Sequence, residues 1–142
     1  MKLNVDCVRD VLLCVEDNTG LRKSCYFVDY DIDHLYPGST DVPAYQKKLE
    51  AKYHNDELIY HVNYCVEARL LKRVVQGSDR IITISDLTPS GHQFIISLKN
   101  DNIWNKVKHL AQKYSGLSLE TITQLTATEA FNALVSAVQA TL

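Results

Sequence analysis

Between Asn55 and Ser85 the hydrophobic period of the chain changes once, and that change restricts the fold more than any other feature. Leu58, Val62, Cys65 and Val66 recur at the spacing of one helix face, behind the start signature Asn55-Asp56-Glu57. Ala68-Arg69-Leu70-Leu71 ends that stripe. Two β-prone runs follow, Leu70–Gln76 and Arg80–Ser85, joined by Gly77-Ser78-Asp79. A three-residue connection containing Gly between such runs predicts a hairpin. Ile82 and Ile84 then share one face, with Ile81 and Thr83 on the other.

The flanking segments add helices and one strand. Asn4 is placed to cap a helix running to Asn18, with Val5, Val8, Leu12 and Val15 at helical spacing and Asp6 in the first turn. Ser24–Tyr30 is aromatic and β-prone and reads as a strand. Residues 31–42 contain Pro37-Gly38-Ser39 and, with Asp29, Asp31, Asp33 and Asp41, read as an acidic loop. Pro43 opens another helical pattern, with Ala44, Tyr45 and Leu49 inward and Lys47, Lys48 and Lys52 outside. Thr88-Pro89 is an N-cap followed by proline at the first helical position, and Phe94, Ile95 and Leu98 continue that helix. Asn100–Asn102 interrupts it. Trp104, Val107, Leu110 and Ala111 resume helical spacing up to Tyr114. Ser118 is placed to cap a short helix, and Thr126 with Glu129 fits a capping box for a last one.

This order is helix, strand, two helices, hairpin, then helices. It predicts a mainly α fold with a small β wing: a winged helix-turn-helix domain over residues 1–99 and a C-terminal helical extension over 100–142. The chain has 142 residues, 46% of them hydrophobic and 23% charged, with a net charge of -2. Collagen-like, mucin-like and disordered classes are excluded, as is a strongly basic nucleic-acid coat, though a local basic patch is not. No run approaches the ~18 apolar residues of a membrane span. The N-terminus, broken by Asp6, Arg9 and Asp10, is not a signal h-region. Cys7, Cys14, Cys25 and Cys65 have no framework spacing, so the reading is a cytoplasmic protein with reduced thiols.

Three stretches carry a family resemblance. Tyr53-His54-Asn55-Asp56-Glu57-Leu58-Ile59-Tyr60-His61-Val62, with Glu67-Ala68-Arg69-Leu70-Leu71, resembles a Y-x-x-x-E-[LV]-x-Y-H-[IV] helix ending in E-A-G-L-[IL]. Residues 84–95 resemble I-x-x-L-T-x-x-G-H-x-F-[LI], and residues 101–108 a Trp-containing helix. With the N-terminal helix around Asp6–Leu13, they resemble a domain-of-unknown-function family of bacteria and their prophages, related to YjcQ-like winged-helix proteins. The resemblance spans roughly residues 1–15 and 53–110. It implies a winged-helix fold and a nucleic-acid-linked role, with no known activity. Two departures stand out: Arg69 occupies the expected glycine position, and the segment from Asp29 to Lys52 is long.

Candidate functional residues follow from the helix before the hairpin. Tyr60, Asn63, Tyr64 and Glu67 lie opposite its apolar stripe. Asn can read adenine edges, and Tyr can contact phosphate or stack. Lys47, Lys48, Lys52, Arg69, Lys72, Arg73 and Arg80 surround that helix in sequence as candidate phosphate contacts to double-stranded DNA. Against this, no Lys or Arg lies between Asn55 and Ala68, whereas Asp56, Glu57 and Glu67 do. Phosphate neutralisation supplies most non-specific affinity. With that counter-evidence weighed, the leading reading is a small, DNA-binding, transcription-regulatory protein of prophage type. The alternative is a module that docks a host or phage protein.

Other chemistry is weakly marked. His61 and Cys65 stand four apart with His54 upstream, short of the three or four ligands zinc needs. No phosphate-binding glycine loop, nucleophile elbow or calcium loop is present. The sequence predicts no metal, no cofactor and no enzymatic activity. Residues 115–142 carry only Glu120 and Glu129 as charged groups. Ala127, Phe131, Leu134 and Val138 alternate spacings of four and three, a pattern that suits a homodimer seam or a core stripe.

Overall fold

The computed structural model of the chain describes residues 1–30, 41–75, 80–113, 116–128 and 132. Its elements are α1 (Val5–Asn18), β1 (Cys25–Val28), α2 (Ala44–Glu50), α3 (Asn55–Glu67), β2 (Leu71–Val74), β3 (Ile81–Leu87), α4 (Pro89–Leu98) and α5 (Asp101–Lys113). Residues 119–128 form a further helix, α6. The fold is mainly helical, with one antiparallel sheet in the order β1-β3-β2. Met1–Gly91 and His92–Leu142 are two compact units.

In the first unit α1 begins as its sequence requires. The Asn4 side chain accepts from the amides of Asp6 and Cys7, at 3.1 and 3.3 Å, taking up two of the four orphan donors of a helix start. Cys7, Val8, Val11, Leu12 and Val15 form its buried face, and α1 contacts α3 and β3. On β3, Ile82 and Ile84 are buried together while Ile81 and Thr83 are half-buried, as a period of two dictates. Phe27 and Val28 of β1 and Leu58, Val62 and Cys65 of α3 complete this core. Full burial of each Leu or Phe side chain is worth roughly 1.5–3 kcal/mol.

The turn from α3 into β2 is tied to the start of α4. Arg69 N–H donates to Val66 O and Leu70 N–H to Cys65 O. This is the paired bonding of a Schellman helix end, which needs a left-handed residue. Arg69 supplies it, with φ 61, at the position where the resemblance has glycine. Thr88 then clasps this turn. Its hydroxyl donates to Arg69 O at 2.6 Å, its N–H donates to Leu70 O at 3.0 Å, and its oxygen caps α4 through Gly91 N–H. A Cβ on Gly91 would lie 2.2 Å from the Leu70 carbonyl oxygen, so only glycine fits.

In the second unit Asn100 caps α5 by accepting from Asn102 and Ile103 N–H. Ile103, Trp104 and Val107 of α5 and Leu119 and Ile122 of α6 are buried. The Ser118 hydroxyl oxygen accepts from Thr121 N–H at the start of α6. Two local expectations are corrected. The helix does not restart at Thr126: that residue is buried within α6, which runs on through residue 128, and its hydroxyl donates back to Ile122 O at 2.7 Å. α3 starts at Asn55, as its start signature predicts; His54 holds the N-cap position and the Asn55 amide turns to the sheet. On α2, Ala44 is exposed and Tyr45 and Leu49 only half-buried, while Gln46 is fully buried. The cause lies in β1, described next. Ala127 is exposed; Phe131, Leu134 and Val138 lie outside the described residues.

Candidate nucleic-acid interface

β1 is an edge strand. Its odd residues face β3, as Asp29 N–H donating to Arg80 O continues the pattern. Tyr26 and Val28 therefore direct their backbone groups away from the sheet. Side chains meet all four. Tyr26 N–H donates to the Tyr45 hydroxyl at 2.8 Å, and that hydroxyl donates to Tyr26 O at 2.5 Å. Val28 N–H donates to Gln46 Oε1 and Gln46 Nε2 donates to Val28 O, both at 2.8 Å. Asn55 Nδ2 adds a bond to Val28 O at 3.0 Å. This pairing explains why a glutamine is the buried residue of α2: burial of an amide is tolerated when all its groups are bonded.

A second polar seam fixes the rotation of α3 against α1. Asn4 N–H donates to His61 Nε2 at 2.8 Å, and His61 Nδ1 bonds Glu57 O at 2.7 Å. Because Nε2 must accept, the ring is the neutral tautomer with its proton on Nδ1. Asn4 Nδ2 donates to the Glu57 carboxylate at 3.2 Å, and the Tyr53 hydroxyl donates to Asp10 at 2.7 Å. Burial pushes the Tyr53 hydroxyl pKa far up, helped by that bond to Asp10. The motif residues Tyr53, Glu57 and His61 are thus all engaged by α1 or its N-cap Asn4.

With that rotation set, Asp56, Tyr60, Asn63, Tyr64 and Glu67 form the outer stripe of α3. Asp56 and Glu67 are exposed, Tyr60 is 36% exposed, and Asn63 and Tyr64 are half-buried. The Tyr60 and Tyr64 rings lie 5.9 Å apart at 34°, and Tyr60 stands edge-on to His61 at 5.2 Å. Tyr60 is the motif residue of this helix that no described fold contact uses up beyond these ring contacts.

The sequence-selected cations sit on the elements before and after α3. Lys47 and Lys48 on α2 are exposed, as are Arg69 in the clasp and Lys72 and Arg73 on β2. Lys47 also lines a cleft of about 480 Å³ with Tyr30, Val42, Glu50 and Ala51, where the Tyr30 hydroxyl donates to the Glu50 carboxylate. Lys52, itself exposed, lies 3.6 Å from the half-buried Asp10, an ion pair of small energetic weight. Arg80 is half-buried at the start of β3. None of these cations is on the α3 stripe, where the charge is negative.

Cys7, Cys25 and Cys65 are buried and Cys14 is half-buried. Burial is the main cause pushing Cys7 up to about 12, assisted by Glu57 and Asp10, and Cys14 up to about 12, assisted by Cys25. Burial likewise raises Cys25 to about 11, and pushes Cys65 up still further. Such groups stay protonated and are poor nucleophiles and poor ligands. His61 has both ring nitrogens engaged. Among the described residues no group of three or more His, Cys, Asp or Glu is arranged to hold a metal ion, and no helix is long and apolar enough to cross a membrane.

Sequence reasoning missed Tyr45, Gln46 and Asn55 as the residues that close the β1 edge. No local signal marks them, because their partners lie 18 to 27 residues away. Among known proteins, a family model described as "Hypothetical protein (DUF2513)" matches residues 2–118. No curated protein and no solved structure matches the chain.

Proposed function

The chain belongs to the DUF2513 family, and on that premise we propose that it is a winged-helix, DNA-binding regulatory protein of prophage type. The observation that carries this reading is the order α1-β1-α2-α3-β2-β3 with strands ordered β1-β3-β2. In winged helix-turn-helix proteins with that layout, the third helix enters the major groove and the β2–β3 hairpin is the wing. Here that helix is α3. Tyr60, Asn63 and Tyr64 are its contact residues, with Asn63 suited to an adenine edge. Lys47, Lys48, Lys72 and Arg73 hold phosphates on either side, and Lys52 and Arg80 lie further from free use. A C-terminal seam through Ala127, Phe131, Leu134 and Val138 would pair two such domains on two half-sites. The resemblance to YjcQ-like proteins supports the same reading.

One observation favours the second reading, a module that docks a host or phage protein. The α3 stripe carries Asp56 and Glu67 and no cation, and its Tyr60–Tyr64 pair is the kind of surface enriched at protein interfaces. The test is fluorescence-anisotropy titration of random and A·T-rich duplexes at low salt. Binding with a sequence preference that Asn63→Ala relaxes is expected. No binding at low salt refutes the DNA reading and leaves the docking one.

A further inference from the structure

The α3 stripe carries Asp56 and Glu67 and no cation, a poor match to phosphate. α5, in the second unit, has the opposite character. Ile103, Trp104 and Val107 are its buried residues. The side away from them at 3.6 residues per turn holds Asn102, Asn105, Lys106, His109, Gln112 and Lys113, and all six are exposed. Each can donate a hydrogen bond, and none is acidic or apolar. Lys106 and Lys113 are one two-turn repeat apart and share one flank of this face; Asn105 and Gln112 share the other in the same way. Lys108 stands beside it, with its ammonium 5.9 Å from the Trp104 ring centroid.

The charge pattern sets α5 apart from an ordinary solvated helix. In a chain of net charge -2, Asp101 is the one acidic residue from Leu87 to Leu119. It sits in the first turn of α5, where a carboxylate complements the helix dipole. α2 carries Glu50 with its lysines, and α3 has carboxylates without any. Beyond its first turn α5 has cations and amides alone. We propose that α5 is a second DNA-contact helix, which lies in the major groove with Lys106 and Lys113 on phosphates and Asn105 and Gln112 toward base edges. The groove of B-DNA admits an α-helix and displays the adenine edges that such amides pair with. In A-form RNA that groove is too narrow for side chains, and single strands are gripped by stacked aromatic rings; this face has no Phe, Tyr or Trp. The inference rests on the proposed function for its ligand but not for its surface, since no α3 residue takes part.

The test is anisotropy of a labelled random-sequence duplex at low salt, titrated with the full chain. Lys106→Gln/Lys113→Gln removes two phosphate contacts and should weaken binding by about tenfold or more. Lys72→Ala/Arg73→Ala, in the first unit, is the comparison. A loss in the α5 variant supports the proposal; if the first-unit variant then binds normally, the α3 reading falls while this one stands. An α5 variant that binds like the unaltered chain overturns it, and a loss in the first-unit variant alone leaves α3 as the DNA helix. Absence of duplex binding by the unaltered chain, or tighter binding to single-stranded RNA, also overturns it. A nuclear magnetic resonance titration of the unaltered chain makes the test independent of how the variants fold. Duplex should shift the amides of Asn105, Lys106 and His109, and shifts confined to Met1–Gly91 would overturn the proposal.

Discussion

β1 and β2 are the two edges of one sheet, and the chain protects them by different means. On β1 the outward backbone groups are matched one for one by Tyr45, Gln46 and Asn55. On β2, Lys72 and Arg73 stand exposed, and the register shifts between them where Ser85 of β3 is left over as a bulge. Charge and a bulge are themselves edge protection. The difference follows from composition. Cys-Tyr-Phe-Val is an adhesive edge that must be covered, whereas Leu-Lys-Arg-Val repels a like strand and stays free to meet an anion. One edge is closed by geometry at the expense of a buried amide; the other is kept open and charged.

The largest effect should come from alkali, which acts on the β1 side. Cys25 is held up to about 11 and Tyr45 to about 12, each chiefly by burial, and Cys7 and Cys14 to about 12. The ordinary values are 9.0 for the thiols and 10.0 for the phenol. Below pH 9 these groups are protonated in both states and their stabilising effect is whole. Above it the unfolded chain releases protons that the folded one retains, so stability falls as pH rises through the folded values. Urea midpoints should therefore be flat from pH 7 to 8.5 and drop steeply beyond pH 9. A midpoint unchanged at pH 11 would contradict the burial of these groups.

On the β2 side the clasp should dominate. Gly91→Ala places a Cβ against the Leu70 carbonyl, and the backbone must move to admit it. A loss of about 3 kcal/mol is expected in denaturant unfolding. A loss under about 0.5 kcal/mol would mean that the Leu70–Thr88–Gly91 clasp is loose.

The two edges can then be compared directly. Gln46→Ala leaves Val28 N–H buried and unbonded, while Val28 O keeps Asn55, and should cost about 2–3 kcal/mol. Arg73→Ala, on the exposed edge, should change stability by less than about 0.5 kcal/mol. Equal costs would erase the distinction between a covered edge and a charged one. The smallest expected change is a gain. Arg69→Gly relieves the left-handed backbone at φ 61 and should stabilise the fold by about 0.5–1 kcal/mol, the steric relief being partly offset by the greater unfolded freedom of glycine. Differential scanning calorimetry of the variant reads the sign.

Much of the scaffold was legible because its signals are local. The α1 stripe, the Asn4 and Thr88 caps and the Ile82/Ile84 face depend on residues a few positions apart, and they form as the pattern requires. The glycine of the G-H motif, Gly91, is explained by the Leu70 carbonyl packed against it. The glycine missing at position 69 marked the one non-glycine left-handed turn among the described residues. What escaped was polar and long-range. Hydrophobic periodicity cannot reveal that Gln46 is buried, since only the position of β1 gives its amide partners. Thr126 resembled a cap because the same hydroxyl can bond forward at a helix start or back along a helix. The family motifs turned out to hold mainly the α1–α3 seam and the clasp, through Tyr53, Glu57, His61, Thr88 and Gly91. A motif spent on architecture says little about a ligand, which is why the α3 stripe had to be read from exposure and charge.

Whether the charged edge is only protected or also used is decided by the salt dependence of duplex binding. If Lys47, Lys48, Lys72 and Arg73 all contact phosphate, log K against log salt should have a slope of about -3 to -4. Removing two of them in Lys72→Ala/Arg73→Ala, on a fold that circular dichroism shows intact, should lower its magnitude by ~2. Duplex binding whose slope is unchanged in that variant would contradict the proposal and reduce the β2 cations to guards of a sheet edge.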